Sequence, residues 1–302
     1  MNYGYLAAIG SYVLWGLLPI FWKLLEELSP VYILSARIVY SLVFCILLVS
    51  FTKRWPDIKK EFQQPKRMAR IALAGILITI NWGTYIAAVN GGHILDASLG
   101  YYMNPLVSVL FGVVFFREKL NTWEGAAIMI AAVGVMIMII QYGSVPWIAL
   151  ILAITFAAYG AVKKTLDLDT ITSLTMETAC VFPIFLIYLF HMEAAGEGAV
   201  AMGLPMVLLA MSSGIVTAAP LLLYGAAVRL IPFTILGFVQ YISPTLELII
   251  GLTLYGETLT VERLMTFVFI WFALVIFLGD SIYQIRSEQK RRKSREVLKN
   301  KV

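Results

Sequence analysis

The sequence predicts an all-α integral membrane protein of ten transmembrane helices, arranged as two inverted five-helix repeats. Three observations carry this. Hydrophobic residues make up 60% of the 302 positions and charged residues 14%, with mean hydropathy +0.85, whereas soluble domains average about 45–50% apolar and about 25% charged residues. Ten apolar stretches approach the about 20 residues needed to span a bilayer. The chain also repeats itself. Tyr85, Ala87, Ala88, Val89, Tyr102, Pro105, Gly112, Glu118 and Leu120 recur at a constant offset of 139 as Tyr224, Ala226, Ala227, Val228, Tyr241, Pro244, Gly251, Glu257 and Leu259, and Gly75-Ile76 recurs as Gly214-Ile215. With five spans per half, the second copy enters the membrane the other way up. That is the plan of secondary transporters, whose solute site lies between the halves near the midplane.

In chain order the predicted spans are 3–24, 31–51, 69–90, 95–116, 124–141, 146–162, 172–191, 203–227, 233–255 and 263–283. The first lacks a basic leader and a small-residue cleavage pattern, so it reads as a retained span. Glu26, Glu27, Ser29 and Pro30 separate it from the second, Gly91-Gly92 separates the third from the fourth, and Gly143 and Pro146 separate the fifth from the sixth. Interior Pro19, Pro105, Pro183, Pro220 and Pro244 are compatible with bilayer helices, where neighbours satisfy freed carbonyls. The predicted domains are an N-terminal five-helix repeat at 1–142, a C-terminal one at 143–285 and a basic tail at 286–302.

Basic residues set the orientation. Twenty of the 23 Lys and Arg fall on one set of connections and the tail, from Lys53 to Lys301, while the alternate connections hold only Arg263. Basic loops stay in the cytoplasm, so both termini are expected inside. The net charge of +5 is then mostly an orientation signal. The run Lys290 to Arg295 reads as topology and adhesion to anionic lipid rather than a nucleic-acid patch.

Polar residues inside spans need a reason. Tyr101, Asn104, Ser108 and Gly112 share one face of the fourth span, and their counterparts are Gln240, Ser243, Glu247 and Gly251 on the ninth. Asn81, Tyr85 and Ala88 form a similar stripe on the third, matched by Pro220, Tyr224 and Ala227 on the eighth. Singly, such residues often only fasten helices together; together, four related stripes predict a central cavity. The candidate solute-binding residues are Trp15, Asn81, Tyr85, Tyr102, Asn104, Tyr159, Tyr224, Gln240, Tyr241 and Ser243, with Tyr102 and Tyr241 one residue off the central stripe. Aromatics would supply apolar and cation–π surface, and the amides and hydroxyl would orient a polar group.

Three charges complete the candidate set: Arg37, Glu177 and Glu247. Arg37 and Glu177 lie at repeat-related positions, but each is about 9 Å from its own surface of an about 30 Å core, which separates them in depth. Glu247 reaches the depth of Arg37, and Glu177 can look to Lys163 or Lys164. Burial raises a carboxyl pKa and an adjacent Arg lowers it, so the proton affinity of Glu247 would depend on pairing with Arg37. The expectation is proton-coupled transport in which Glu247→Gln abolishes pH-driven flux and leaves solute binding largely intact. His93 and Asp96 at an outer turn read either as a proton relay or as a solvated turn with Asp96 capping the next span.

Enzyme signatures are absent: no H-E-x-x-H, Walker A, G-x-S-x-G or G-x-G-x-x-G run occurs. Two His and two Cys within apolar segments offer no disulfide framework or metal centre, and no cofactor is expected. A membrane enzyme acting on lipid-linked substrates and a non-transporting sensor or assembly factor stand as the alternatives. Small-xxx-small spacing at Ala127 and Ala131 fits either a homodimer face or ordinary packing.

Several runs resemble the RarD-type permeases of the EamA family, in the drug/metabolite transporter superfamily. They are Trp15-Gly16 with Pro19 and Lys23, Asn81-Trp82 with Ala88-Val89-Asn90, Ala97-Ser98-Leu99-Gly100-Tyr101 with Asn104-Pro105-Leu106, Tyr159-Gly160 with Lys163-Lys164, Glu177-Thr178, Leu236-Gly237-Phe238 with Gln240-Tyr241 and Pro244-Thr245, and Thr266-Phe267 with Ile270-Trp271. The resemblance implies a ten-helix permease of the bacterial inner membrane, associated by name with chloramphenicol sensitivity, moving small metabolites, amino acids or drugs, often outward. Ala36 stands where the family pattern usually has His before Arg37, and Asp96 where it has Glu.

Overall fold

The computed structural model describes residues 3–90, 94–143, 145–166, 168–256, 261, 264–280 and 283. The expectations placed on His93, Glu257, Arg263 and the tail 286–302 lie outside these residues, as does the side chain of Asp96. Among the described residues the protein is all-helical. Among these residues nine helical stretches, Phe233–Leu254 counted as one, are long and apolar enough to cross a bilayer, and Leu264–Asp280 is a shorter apolar helix.

The chain begins with α1 (Tyr3–Lys23). Next comes α2 (Pro30–Phe51), whose N-terminus is set by Pro30 and by the Ser29 hydroxyl accepting from the Tyr32 amide at 3.2 Å. A short helix, α3 (Trp55–Phe62), follows where sequence predicts only a basic connection. Eight residues are too few to register as a span, and Ile58 anchors α3 against Val49 and Ile71. The first half then runs through α4 (Pro65–Asn90), α5 (Ile94–Phe116) and α6 (Thr122–Tyr142). A reciprocal cap between Asn121 and Glu124 starts α6.

The second half holds α7 (Trp147–Thr165), α8 (Thr170–Ala194), a 3-10 turn (Ala199–Met202), α9 (Leu204–Leu230), α10 (Phe233–Gln240), α11 (Ile242–Leu254) and α12 (Leu264–Asp280). Asp169 caps α8 by accepting from the amides of Ile171 and Thr172. The ninth predicted span is thus interrupted at Tyr241. Pro244 has no amide hydrogen to offer the Gln240 carbonyl, and the Tyr241 amide turns back to Phe238 O at 3.2 Å. The repeat-related Pro105 leaves α5 unbroken.

The chain divides into two compact units, one of Met1–Glu118 with Pro146–Thr258, the other of Lys119–Val145 with Leu259–Val302. In the first, helix contacts come in repeat-related pairs. The 139-residue offset carries α4 onto α9 and α5 onto α10–α11, and matches α1 with α7 and α2 with α8. Accordingly α1 packs on α9 while α7 packs on α4; α1 packs on α10 and α11 while α7 packs on α5; α2 packs on α9 while α8 packs on α4. Two further extensive contacts, α2 with α8 and α5 with α10, join each element to its own counterpart. The second unit brings α6 against α12: the Thr266 hydroxyl donates to Gly134 O at 3.1 Å and the Asn121 amide to Asp280 at 2.6 Å. Ala127 and Ala131 are buried within the chain, so their spacing serves internal packing. Outward faces are apolar, as Ile184, Ile187 and Phe190 on α8 show with about 70% exposure each.

Among the described residues two glycines make the closest approaches to another helix's backbone, again as a repeat-related pair. A Cβ on Gly75 would lie 2.5 Å from Glu177 O on α8, and one on Gly214 would lie 2.3 Å from the Tyr40 carbonyl carbon on α2. Backbone cannot yield as a side-chain tip can. Gly214→Ala is therefore expected to cost about 1–3 kcal/mol by overpacking. Gly83→Ala, which meets nothing within 4 Å, serves as the control. Thermal unfolding in detergent checks the contrast; equal stability of the two variants would refute the close approach.

Candidate functional site

The first unit encloses a cavity of about 130 Å³. Trp15, Leu18, Pro19 and Trp22 come from the second half of α1, Arg37 from the start of α2, and Asn81, Trp82 and Tyr85 from the end of α4. Tyr101 and Asn104 from α5, Phe156 from α7, Gln240 from α10, and Ser243, Pro244 and Glu247 from α11 complete the wall with Tyr12. The wall thus draws on both repeats, and it sits toward the end where α1 and α4 finish and α2 and α5 begin.

Several wall residues spend their polar groups on helix backbones. The Asn81 amide donates to Leu152 O at 2.8 Å and to the Thr155 hydroxyl at 3.0 Å. Asn104, with its amide nitrogen turned to α7, donates to Leu152 O and Ala153 O at 3.2 Å each. The Ser243 hydroxyl donates to Tyr12 O at 2.7 Å. Asn104 and Ser243 are repeat counterparts, and each fastens to the counterpart first helix of the other half. Gln240 accepts from the Ser108 hydroxyl at 3.4 Å. Fastening therefore accounts for these donors, while the Asn81 and Asn104 carbonyl oxygens keep acceptor capacity.

Arg37 is held differently. Its Nε donates to the Thr217 hydroxyl of α9 at 3.0 Å, and its guanidinium carbon lies 4.6 Å from the Trp22 ring and 4.5 Å from the Trp82 ring. Two indole faces and one hydroxyl fix a cation there. No ion pair joins Arg37 to Glu247 among the described residues, so the expected pairing is not made in this conformation; the guanidinium is occupied by the indoles and Thr217. Glu247 faces the cavity without a hydrogen bond or ion pair to a described residue.

Tyr159, Tyr224, Tyr102 and Tyr241 are not on the cavity wall. Tyr224 stacks on Tyr159 with centroids 5.9 Å apart and planes 13° apart, behind Trp15 and Phe156, each 5.5 Å from it. Tyr102 and Tyr241 are buried where α5 meets α10, and the Tyr241 hydroxyl donates to Tyr102 O at 3.4 Å. Standing one residue off the stripe turns a side chain by about 100°, out of the cavity and into the helix contact. Sequence reasoning missed Tyr12, Trp22, Trp82 and Phe156 as wall residues and Thr217 as the support of Arg37. The Trp22 and Trp82 indoles had one available signal, an intramembrane Arg in need of partners.

Glu177 belongs to a second group, toward the opposite end. Lys163 Nζ lies 2.7 Å from Glu177 Oε1, with both side chains almost fully buried. The Tyr159 hydroxyl donates to Glu177 Oε2 at 3.2 Å, and Ser173 hydrogen-bonds the other oxygen. Nearby, Glu118 accepts from the amides of Phe233 and Thr234 at 2.7 and 2.8 Å, capping α10. Lys164 donates to Ile231 O at 2.8 Å and lies 3.6 Å from Glu118. Arg54 pairs with Asp169 at 2.9 Å. These contacts close the unit at the end away from the cavity.

Comparison with known proteins bears on what such a molecule is. Residues 2–140 match the EamA-like transporter family. The chain is 44% identical to an uncharacterized transporter, YojE, of Bacillus subtilis (strain 168), over 88% of this chain and 90% of the relative. It is 37% identical to Protein RarD of Escherichia coli (strain K12), over 95% and 97% respectively. The chain belongs to the EamA-like transporter family, with the RarD-type proteins. A chloramphenicol-sensitive protein RarD of Pseudomonas aeruginosa is 28% identical over 95% of this chain and 97% of its own. A solved crystal structure with 14% identity superposes at TM-score 0.65, over 90% of this chain and 96% of that one, and shares its fold. This RarD-type protein is a multi-pass membrane transporter.

Proposed function

We propose that the protein is a secondary transporter of the bacterial inner membrane, with both termini cytoplasmic. It moves a small organic solute, outward, by alternating access between repeats 1–142 and 143–285. The observation that carries this reading is a cavity walled by both repeats inside a unit whose helix contacts come in repeat-related pairs. The cavity is the solute site, and Glu247 carries the coupling proton. With the basic connections inside, the cavity lies in the outer half, and the Lys163–Glu177 and Glu118–α10 contacts close the cytoplasmic half.

No observation favours a membrane enzyme or a sensor over this reading; among the described residues no group of three His, Cys, Asp or Glu side chains is placed to hold a metal. Two measurements test it. Single cysteines at positions 118 and 257 of the full chain are expected to label from opposite sides of the membrane; labelling from one side would refute the inverted repeat. Purified protein in proteoliposomes is expected to accumulate solute under an imposed pH gradient. Solutes ranked by comparing metabolites of overexpressing and deleted cells supply the candidates.

A further inference from the structure

The segment between α2 and α4 carries chemistry that the cavity does not use. Phe51 ends one bilayer-length helix and Pro65 begins another. Residues 52–54 and 63–64 are the only links to α3, so this short helix lies at the membrane surface. Its direction is fixed by a built turn. Lys53 takes the left-handed position (φ 55°) of a Schellman motif, its amide donating to Ser50 O at 3.3 Å and that of Arg54 to Val49 O at 3.0 Å. Arg54 then pairs with Asp169 at the start of α8 at 2.9 Å. The Trp55 indole donates to the Ser50 hydroxyl at 3.2 Å, which sets the ring's orientation.

α3 shows a different chemistry on each side. Inward, Ile58 packs on Val49 and Ile71, and the buried Glu61 is answered by Arg67 at 3.0 Å. Outward, Trp55 and Phe62 are 43% and 66% exposed; seven residues apart, they lie within about 20° of each other around the helix, with Lys59 between them. Phe51, just before the turn, is 81% exposed. Asp57 and Lys60 project from the remaining side.

The charges of the segment are unbalanced. Lys53, Lys59, Lys60, Lys66 and Arg70 are exposed and form no ion pair with a described residue, and the one exposed acid they stand beside is Asp57. Exposed indole and phenyl rings next to uncompensated ammonium groups suit the boundary between acyl chains and headgroups, where rings sit in the apolar layer and lysines reach up to phosphate. A soluble polyanion would satisfy the charges and leave the rings in water.

We infer that α3 is an interfacial anchor that binds the headgroups of anionic phospholipids in the leaflet it borders. Lys59, Lys60 and Lys66 hold the headgroup phosphates, and Trp55, Phe62 and Phe51 enter the acyl boundary beside them. Because Arg54 ties the same turn to α8, lipid held at α3 also steadies a contact between the two repeats.

The test uses the full-length protein in bilayers of phosphatidylcholine mixed with phosphatidylglycerol, with bromine on the acyl chains of one lipid or the other. Trp55 emission is taken as the difference between the protein and its Trp55→Phe variant. Brominated phosphatidylglycerol is expected to quench it more than the same amount of brominated phosphatidylcholine, and the preference should shrink as salt rises. Lys59→Gln, Lys60→Gln and Lys66→Gln together should lower the preference about tenfold; these side chains are exposed, so the fold is not at stake. Neutralising Lys290, Arg291, Arg292 and Lys293 of the tail should leave it unchanged. Equal quenching by the two lipids, quenching by neither, or a preference that survives the triple variant would overturn the inference. So would a preference lost with the tail charges instead, or one abolished by a short RNA that displaces the lipid from Trp55.

Discussion

Glu177→Ala is expected to lower the unfolding free energy by about 3–5 kcal/mol, the cost of leaving one partner of a buried ion pair uncompensated. The Lys163 ammonium, 2.7 Å from Glu177 and 3% exposed, would keep a weak contact to the Ser173 hydroxyl at 3.4 Å and the Tyr159 ring 5.4 Å away. Lys163→Met should cost less, because Glu177 retains donors in Tyr159 and Ser173. The double variant Lys163→Met with Glu177→Leu should recover most of the loss, since replacing both members of a buried pair by apolar groups is often neutral. A double-mutant cycle measured by denaturant unfolding in mixed micelles checks this. Additive losses would show that the two residues stabilise the fold separately and would remove the pair as the fastener of the closed end.

Glu247→Gln is expected to abolish pH-driven flux and to make solute affinity independent of pH. The other titratable groups on the cavity wall are Tyr12, Arg37, Tyr85 and Tyr101, types that ordinarily titrate far above neutral pH. Glu247 is the carboxyl on that wall able to exchange a proton there. The sign follows from charge. Ionised Glu247 attracts a positively charged solute group and protonated Glu247 does not, so affinity of the wild type for a cationic or zwitterionic solute should fall as pH falls. Protons entering from the acidic outside would then release solute outward. Because the carboxylate faces the cavity instead of pairing with Arg37, the substitution should weaken binding as well as coupling, unlike the behaviour expected had the pair been made. Flux in proteoliposomes with and without a pH gradient decides it: a variant still driven by the gradient would remove Glu247 from coupling.

Much of this was legible in the residues, for physical reasons. Apolar length reports spans because the bilayer demands it, and the connections around Pro30, Gly143 and Pro146 fall where their backbone chemistry puts them. Arg37 and Glu247 stood out because charge inside a membrane is rare. Tyr159 and Tyr224 looked like wall residues and lie behind it: periodicity fixes the face of a helix but not the depth at which a second helix covers that face. Thr217, Trp22 and Trp82 could not be assigned to Arg37 because they come from three helices far apart in the chain. The interruption at Tyr241 was likewise hidden, since Pro105 in the other copy leaves its helix continuous.

The indoles around Arg37 give the protein an optical property. Of its seven tryptophans, Trp15, Trp22 and Trp82 border the cavity, whereas Trp55, Trp123, Trp147 and Trp271 are exposed on the outside of the chain. Emission from an indole responds to a charge held against its ring, and two of the three stand against the same cation. A solute that draws the guanidinium edge toward itself changes the field on both at once, over a steady background from the outer four. Solute entering the proposed site is therefore expected to change the intrinsic fluorescence, without a label and before any flux is measured; a titration that leaves the emission unchanged while flux proceeds would argue against occupancy of this cavity.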